Sequence, residues 1–437
     1  MFETYQVLVL FVAILLFSVL AFKKISAVIL GPLLALLVIL ATQMPIFDTM
    51  LTNYMGVAAD YVRKYFLIFF LGAIFGVIYQ YTHAAESIAN QLIKLTKGKY
   101  TASLIMFITG ILTFGGISGF VVFFAIYPIA VQLFKDSNLT RRLMPAAISA
   151  GTWTWSMNAP GSPSIQNIIP MRSLGTSSMA SPVAGFAAMI TQIVLIVLWL
   201  EYRSKKLTSK GILFDDPSLK PIEGIGKVYK DNELPSPLLS IIPPIIILIL
   251  FNIMKFPLEG AVLGGCIVAI IFFYKRIENG IEGWIEVLNK GAQNSVIAIL
   301  NTALVVGFAG VVSKTKGFSI LINKLKSMKL SPAWFVAITV SIAAGAAGSA
   351  SGGLGVAFAA LGDVYKTLPI SPESIHRIAA IAAGTLDSLP HQGAQITLLA
   401  ICGLTHKEGY LDIGVTQILI PFIALAAVCI PLIQLGF

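Results

Sequence analysis

The sequence predicts an all-α polytopic membrane protein made of two inverted-topology repeats of five spans, each with a re-entrant helical hairpin and a broken helix. Three observations predict it. Hydrophobic residues make up 57% of the chain and charged residues only 11%, against roughly 25% charged in an average soluble domain. Apolar runs of about 20 residues, enough to cross a ~30 Å hydrocarbon core, recur along the whole chain. The chain also repeats itself: Ala146–Thr152 answers Ala379–Thr385, Ser118-Gly119 answers Ser351-Gly352, and Asn90, Gly115 and Val131 answer Asn323, Gly348 and Val364, all at an offset of 233 residues.

The elements follow in order. Spans are expected at 5–22, 26–46, 64–81, 141–170 and 180–200, then at 237–254, 257–274, 292–313, 375–400 and 411–434. The first repeat covers 1–201, a cytoplasmic linker 202–236, and the second repeat 237–437. The first run does not read as a cleavable signal, because Glu3 replaces a basic leader and Lys23-Lys24 closes the run without a small-residue cleavage site. It is expected to remain as a helix. Cys266, Cys402 and Cys429 lie apart in apolar segments, with neither metal nor redox spacing, and read as packing residues. Most basic residues behind the +10 net charge flank spans, which makes the charge an orientation signal rather than a nucleic-acid footprint.

After the third span of each repeat comes an amphipathic segment, 84–97 with Ile88, Leu92 and Leu95 on one face, and 317–329 with Phe318, Leu321, Ile322, Leu325 and Met328. Period-3.6 patterns of this kind suit a helix lying in the membrane interface. Next come the hairpins, 100–135 broken at Gly115–Gly119 and 332–366 broken at Gly345–Gly355. Arms of about 15 residues give ~23 Å of helix, short for a crossing, so each tip is expected inside the membrane. Irregular backbone is tolerated there only under cover of protein or in a water-filled cavity.

Each following helix breaks too, at Thr152–Pro163 within 141–170 and at Thr385–Gly393 within 375–400. Proline removes a backbone donor and clashes with the preceding turn, so neither can run straight through. Five crossings per repeat is odd, so the second repeat enters upside down. Placing Lys23-Lys24 inside also places Arg141, Arg142, Lys275, Arg276 and the seven Lys/Arg of 202–236 inside, whereas Arg63-Lys64 and the lysines of 314–329 fall outside. The balance puts both termini outside.

Paired discontinuous helices point to a secondary transporter with its site at the breaks. An Asp at the bilayer centre costs ~2.5–3.5 kcal/mol, so Asp387 needs a reason to be there. Half-helix N-termini offer unpaired donors and partial positive charge to a carboxylate. The first break contains no basic residue of its own. The candidate substrate-binding residues are Ser118, Gly119, Thr154, Asn158, Gly161, Ser162, Gln166 and Asn167 from the first repeat, and Ser349, Ser351, Gly352, Ser388, Gln392 and Gln395 from the second. They suit a small hydroxylated monocarboxylate. Asp387 and His391, four residues apart and both titratable, are the candidates for proton coupling; the alternative is that they cap and brace the broken backbone. Asp363 reads as a solvated or capping residue, and His83, His376-Arg377 and His406 as interfacial ones. Trp153 and Trp155 either shape the pocket or pack.

The stretch 118–170, with RRLMPAAI, PGSPSIQN and the ensuing LGT, together with AGTLDSLPHQGA at 383–394, resembles the gluconate permease (GntP) family. The specific motifs cover about a fifth of the chain, and size and layout nearly all of it. The resemblance implies a bacterial inner-membrane symporter of the ion-transporter superfamily. It would carry gluconate-like sugar acids or 3-hydroxybutyrate, usually with protons, as a homodimer in which a scaffold holds a moving transport domain. Gln166-Asn167 leans toward the hydroxybutyrate branch. No catalytic residue, metal or resident cofactor is expected. A sodium-coupled carboxylate carrier is the alternative, with the ion between hairpin-tip carbonyls and the Thr152 and Thr385 regions. An intramembrane aspartyl protease built on Asp363 and Asp387 is a remote one, since it gives the duplicated hairpins no role. A channel would need a continuous pore.

Overall fold

The computed structural model describes residues 2–22, 25–96, 100–117, 119–220, 229–327, 330–390 and 392–437, and all its regular elements there are helices. α1 (Phe2–Phe22) and α2 (Ala27–Ala41) are apolar all round, as suits helices that meet protein on one side and lipid on the other. Leu8, Phe11, Leu33 and Leu40 are exposed, while Leu10, Ala13, Leu34 and Val38 are buried. α3 runs from Ile46 to Tyr81 through a π-helical stretch at Thr49–Met55. It starts well before the expected span at 64, because charges end an apolar run without ending a helix. Asp60 pairs with Arg63 and Lys64 at 2.5 and 2.6 Å, one turn apart on one face.

The amphipathic segment forms α4 (Ala84–Thr96), with Ile88 buried. α5 (Thr101–Phe114) and α6 (Gly119–Asp136) make the first hairpin. α7 (Met144–Trp153), a single turn at Trp155–Asn158 and α8 (Ile165–Leu174) make the first broken helix, and α9 (Pro182–Ser209) closes the half. The second half repeats this order. α10 (Pro237–Ile253), α11 (Leu258–Phe273) and α12 (Gly280–Val312) come first, then the amphipathic α13 (Lys316–Ser327). The second hairpin is α14 (Pro332–Ala347) and α15 (Ala350–Lys366), the second broken helix α16 (Pro372–Leu386) and α17 (Gly393–Ile401), and α18 runs from His406 to Gln434. Like α3, α9 and α12 outrun their expected spans, so helix takes up the first eight positions, 202–209, of the expected linker.

Five of the described helices (α3, α9, α12, α18 and α11 with its terminal turn) are long and apolar enough to cross a membrane, and several shorter apolar ones accompany them. The chain is a multi-pass membrane protein. α12 lies against α2 and α3, α11 against α3, and α1 against α13. In each half the hairpin packs on its own broken helix: α5 and α6 on α7, and α14 and α15 on α16. The approach is close. A Cβ on Gly151 of α7 would stand 2.0 Å from the Met106 carbonyl oxygen of α5, so only glycine fits. The two units join where α8 lies on α15 and α16, and where α7 meets α18. α9 and α18 are tied by Arg203, whose guanidinium grips both Asp412 carboxylate oxygens at 2.6 and 3.0 Å while the Trp199 indole donates to one of them. All three cysteines are free and buried.

The linker folds onto the start of the first broken helix. Arg141 donates to the carbonyls of Phe214 and Lys220, and Arg142 pairs with Asp216 at 2.9 Å. Hydrogen bonds from Ser218 and then Arg142 hold the Asp216 carboxyl below the usual range.

Candidate functional site

The first break is made by its own polar side chains. Thr154, at φ −115° and ψ −114°, cannot continue α7, and its hydroxyl turns back to the Ala150 carbonyl. Ser156 donates to Gly151 O at 2.6 Å, Ser162 to Ser156 O at 2.7 Å, and Ser164 to Met157 O. Gly161 sits at φ +80°, a left-handed conformation a Cβ would strain. Asn167 clasps the loop: its amide nitrogen donates to Ala159 O and Ser162 O at 2.9 and 3.0 Å. Freed backbone groups are thus paired inside the bilayer-spanning unit, where an unpaired one costs several kcal/mol.

The clasp is completed from the other half. Arg377 on α16 is fully buried, and its guanidinium donates to Asn158 O, to Asn167 Oδ1 at 3.0 Å, to Ala180 O at 3.0 Å and to Ser178 O at 3.1 Å. No carboxylate lies within ion-pair distance of it among the described residues. Its neighbour His376, also fully buried, bridges Asn167 Oδ1 at 3.1 Å and Thr176 Oγ1 at 2.8 Å. Since Oδ1 only accepts, the Nε2 of a neutral ring carries the hydrogen and Nδ1 accepts from Thr176. Both residues fall near a span end by hydropathy, yet both are buried in the protein and bonded to the first break. His83 and His406 are half-buried: His83 lies 3.3 Å from Glu86, and His406 Nε2 is 2.8 Å from the Pro390 carbonyl.

The second break holds a second polar cluster. Asp387 ends α16 and is 3% exposed. It stands at the partially negative end of a helix with no cation in ion-pair range among the described residues. The Ser388 hydroxyl lies 3.2 Å from Asp387 Oδ1 and 3.1 Å from Gln417 Oε1 on α18. Gln417 Oε1 also accepts from the Gln395 amide at 2.5 Å, and Gln417 Nε2 donates to Ser149 Oγ of α7 at 2.5 Å. Neither Gln417 nor Ser149 is among the residues the sequence points to.

Each hairpin tip adjoins its own break. A Cβ on Gly116 would lie 3.8 Å from Pro163, and one on Gly345 3.4 Å from Leu389. Gly119 packs against Thr152 and Trp153, and Ser349 caps α15 by accepting from the Gly352 amide at 3.2 Å, the same distance at which it meets Ser351 Oγ. The breaks themselves touch, because the Asn158 amide lies against Gly384 of α16. The candidate residues therefore sort by what they have left to offer. Thr154, Ser162 and Asn167 spend their hydrogen bonds on the break, and Asn158 pairs with the Gln192 amide at 3.3 and 3.4 Å. Gln166, Gln392 and Gln395 each keep a buried carbonyl oxygen without a partner. Ser118 and His391 lie outside the described residues. Asp363 is fully exposed beside Lys366, so it shares no site with the buried Asp387 and the aspartate-pair reading has no pair. Trp155 packs on Gly110 and donates to Met106 Sδ at 3.2 Å, which makes it part of the hairpin seam.

No family model matches the chain. It is 30% identical over 453 aligned positions to a Bacillus subtilis (strain 168) protein named uncharacterized transporter YxjC, covering 93% of this chain and 95% of that relative. Among solved structures, the Alcanivorax borkumensis YdaH transporter, whose crystal structure revealed an unusual topology, matches with a TM-score of 0.54 at 15% identity over 90% of this chain and 88% of that one. That likeness is one of fold.

Proposed function

The chain belongs to the transporter family that includes YxjC of Bacillus subtilis, and from this we propose a secondary active transporter that carries a small hydroxy-monocarboxylate together with protons. The single observation that carries the reading is Arg377. A fully buried guanidinium, solvated by carbonyls and an amide but offset by no carboxylate among the described residues, leaves positive charge at the first break. In a low-dielectric interior that field favours an anion beside it. The unpartnered oxygens of Gln166, Gln392 and Gln395 suit the substrate's hydroxyl donors. Substrates of the 3-hydroxybutyrate or gluconate type fit this combination.

Asp387 is the coupling group in this reading, because a carboxylate at a helix C-terminus without a countercharge calls for a proton or a cation. His391 is its proposed companion. The free Gln395 oxygen beside the Asp387 cluster favours sodium as the second reading, since sodium takes oxygen ligands without needing a titratable group. Hairpins and broken helices move as one body against the remaining spans, in a homodimer in the bacterial inner membrane with both termini outside. Uptake of 3-hydroxybutyrate and gluconate into proteoliposomes, with proton and sodium gradients imposed separately, tests it. Accumulation driven by a pH gradient alone, lost in Asp387→Asn while exchange persists, is the expected result. Failure to transport any small hydroxy acid would remove the substrate, and dependence on sodium alone would replace the proton.

A further inference from the structure

Ser388 has one hydroxyl hydrogen and two acceptors for it, Asp387 Oδ1 at 3.2 Å and Gln417 Oε1 at 3.1 Å. We propose that Ser388 and Gln417 form a proton-responsive switch, in which the charge state of Asp387 decides whether the second break is tied to α18. The inference rests on the coupling role given to Asp387 above, and it names the residues that would turn a bound proton into a structural change.

The two states follow from donor and acceptor inventories. An ionised carboxylate only accepts, so the Ser388 hydrogen points to Asp387, and Gln417 Oε1 holds the Gln395 amide alone. A proton taken up from water turns Oδ1 into a donor toward Ser388 Oγ. The serine hydrogen then rotates to Gln417 Oε1. Ser388 keeps its own hydrogen throughout, the carboxyl gains one, and no bond between heavy atoms changes. Gln417 Oε1 then accepts from Gln395 and Ser388 together, while its amide nitrogen still holds Ser149 on α7. Protonation thus closes a hydrogen-bonded path from the second break, through α18, to the helix that enters the first.

Among the described residues, the surroundings leave Asp387 as the group that sets the switch. α14, α7, the Trp155–Asn158 turn, α17 and the Val415–Leu419 stretch of α18 carry no Asp, Glu, Lys, Arg or His. The titratable neighbours from the start of α18 are Tyr410, whose hydroxyl donates to the Ser388 carbonyl at 2.8 Å, and His406, on the Pro390 carbonyl. Both meet backbone. Arg377 is ten residues back along α16, ~15 Å at 1.5 Å per residue. Arg172 of α8 is engaged with Glu259 and the Lys64 carbonyl, Asp363 and Lys366 pair with each other, and Tyr365 bonds Thr339. Cys429 of α18 faces the Arg377 end of α16.

The test pairs a spectroscopic readout with a transport one, using purified protein in lipid. Infrared difference spectra between acid and neutral pH should contain a carboxylic-acid band that Asp387→Asn removes. Ser388→Ala should shift that band and Ser388→Thr, which keeps the hydroxyl, should restore it. In proteoliposomes loaded with 3-hydroxybutyrate, Ser388→Ala and Gln417→Met should each lose about tenfold in pH-driven accumulation, the scale of one hydrogen bond to a charged group, while exchange by Gln417→Met stays within about twofold. An unshifted band in Ser388→Ala, wild-type accumulation in either variant, or loss of exchange along with accumulation in Gln417→Met would overturn the switch. Absence of the Asp387 band, or pH-driven accumulation surviving Asp387→Asn, would instead overturn the coupling role on which it rests.

Discussion

Methionine at position 377 keeps an unbranched apolar stem of similar reach and deletes the charge and all five donors. Four acceptors lose a partner, but not equally. Asn167 Oδ1 keeps the His376 bond and Ser178 O keeps the Gly161 amide at 3.0 Å, so Asn158 O and Ala180 O are the two left without a donor. Each buried acceptor stripped of its partner costs ~1–3 kcal/mol, which gives ~2–6 kcal/mol for the pair. The variant also escapes the desolvation of a buried guanidinium, an opposing effect that can amount to several kcal/mol and brings the expectation to the lower part of that range, ~2–3 kcal/mol. Denaturant unfolding of detergent-solubilised Arg377→Met, followed by the fluorescence of Trp153 and Trp155 beside the break, measures it. Arg377→Lys should fall between, because three donors on one nitrogen cannot span four acceptors set around a planar fork. A loss below ~1 kcal/mol in the methionine variant would refute the reasoning, since it would mean that the break holds its shape without the clasp.

Gly151→Ala should destabilise the first hairpin unit by ~1–3 kcal/mol, the usual cost of overpacking, since the new methyl would stand 2.0 Å from the Met106 carbonyl and 2.1 Å from Thr109 Oγ1. A variant as stable as the wild type in thermal unfolding would show that α5 and α7 can move apart freely. Asp216, held below the usual carboxylate range, contributes linker stability that is fully present above its unfolded value of about 3.9 and is lost as pH falls through its lower folded value. Limited proteolysis between Gly211 and Ser236 should therefore be flat from neutral pH down to about pH 4 and rise below it, and Asp216→Asn should be cut faster at neutral pH; equal rates for the two proteins would remove the Arg142 clamp.

How much of this was legible in the sequence depended on how local its cause was. Hairpin tips and breaks announce themselves through glycine, proline and hydroxyl residues within a dozen positions, and the amphipathic α4 and α13 through their period. The start of α3 was hidden, because the i,i+3 and i,i+4 pairs of Asp60 with Arg63 and Lys64 carry the helix past the apolar run that marks it. The start of α12 and the end of α9 were hidden because polar residues continue a helix beyond its apolar run. Arg377 was hidden for a different reason. Its partners lie up to 219 positions away, and hydropathy places it at a span end. The repeat did carry a signal: at the same offset Arg377 and His376 stand where the first copy has Met144 and Leu143, and Gln417 where it has Ala184. A polar residue that replaces an apolar one between two copies of a membrane helix needs a partner elsewhere.

Those replacements also decide which parts can move together. The first break is completed by Arg377 and His376 from the second half, and the second break reaches Ser149 of the first half through Gln417. Each half therefore supplies what the other's break lacks, and separating the two hairpin units would strand a buried guanidinium and several buried amides at once. The breaks also reach α9 through Asn158 and Gln192 and α18 through Ser388 and Gln417, whereas the bonds from the first broken helix to α3, α10 and α11 are few. Asn252 at the end of α10 donates to Gly161 O at 2.9 Å and accepts from Ser178 at 2.7 Å, and Glu259 at the start of α11 pairs with Arg172 of α8. Asn252 is half-buried and Arg172 exposed, so water can replace what they lose at little cost. The energetics thus favour a cut between the paired breaks and the α10–α11 turn over any cut between the halves. In the motion proposed above, the duplicated units travel as one body because their asymmetry has bound them together.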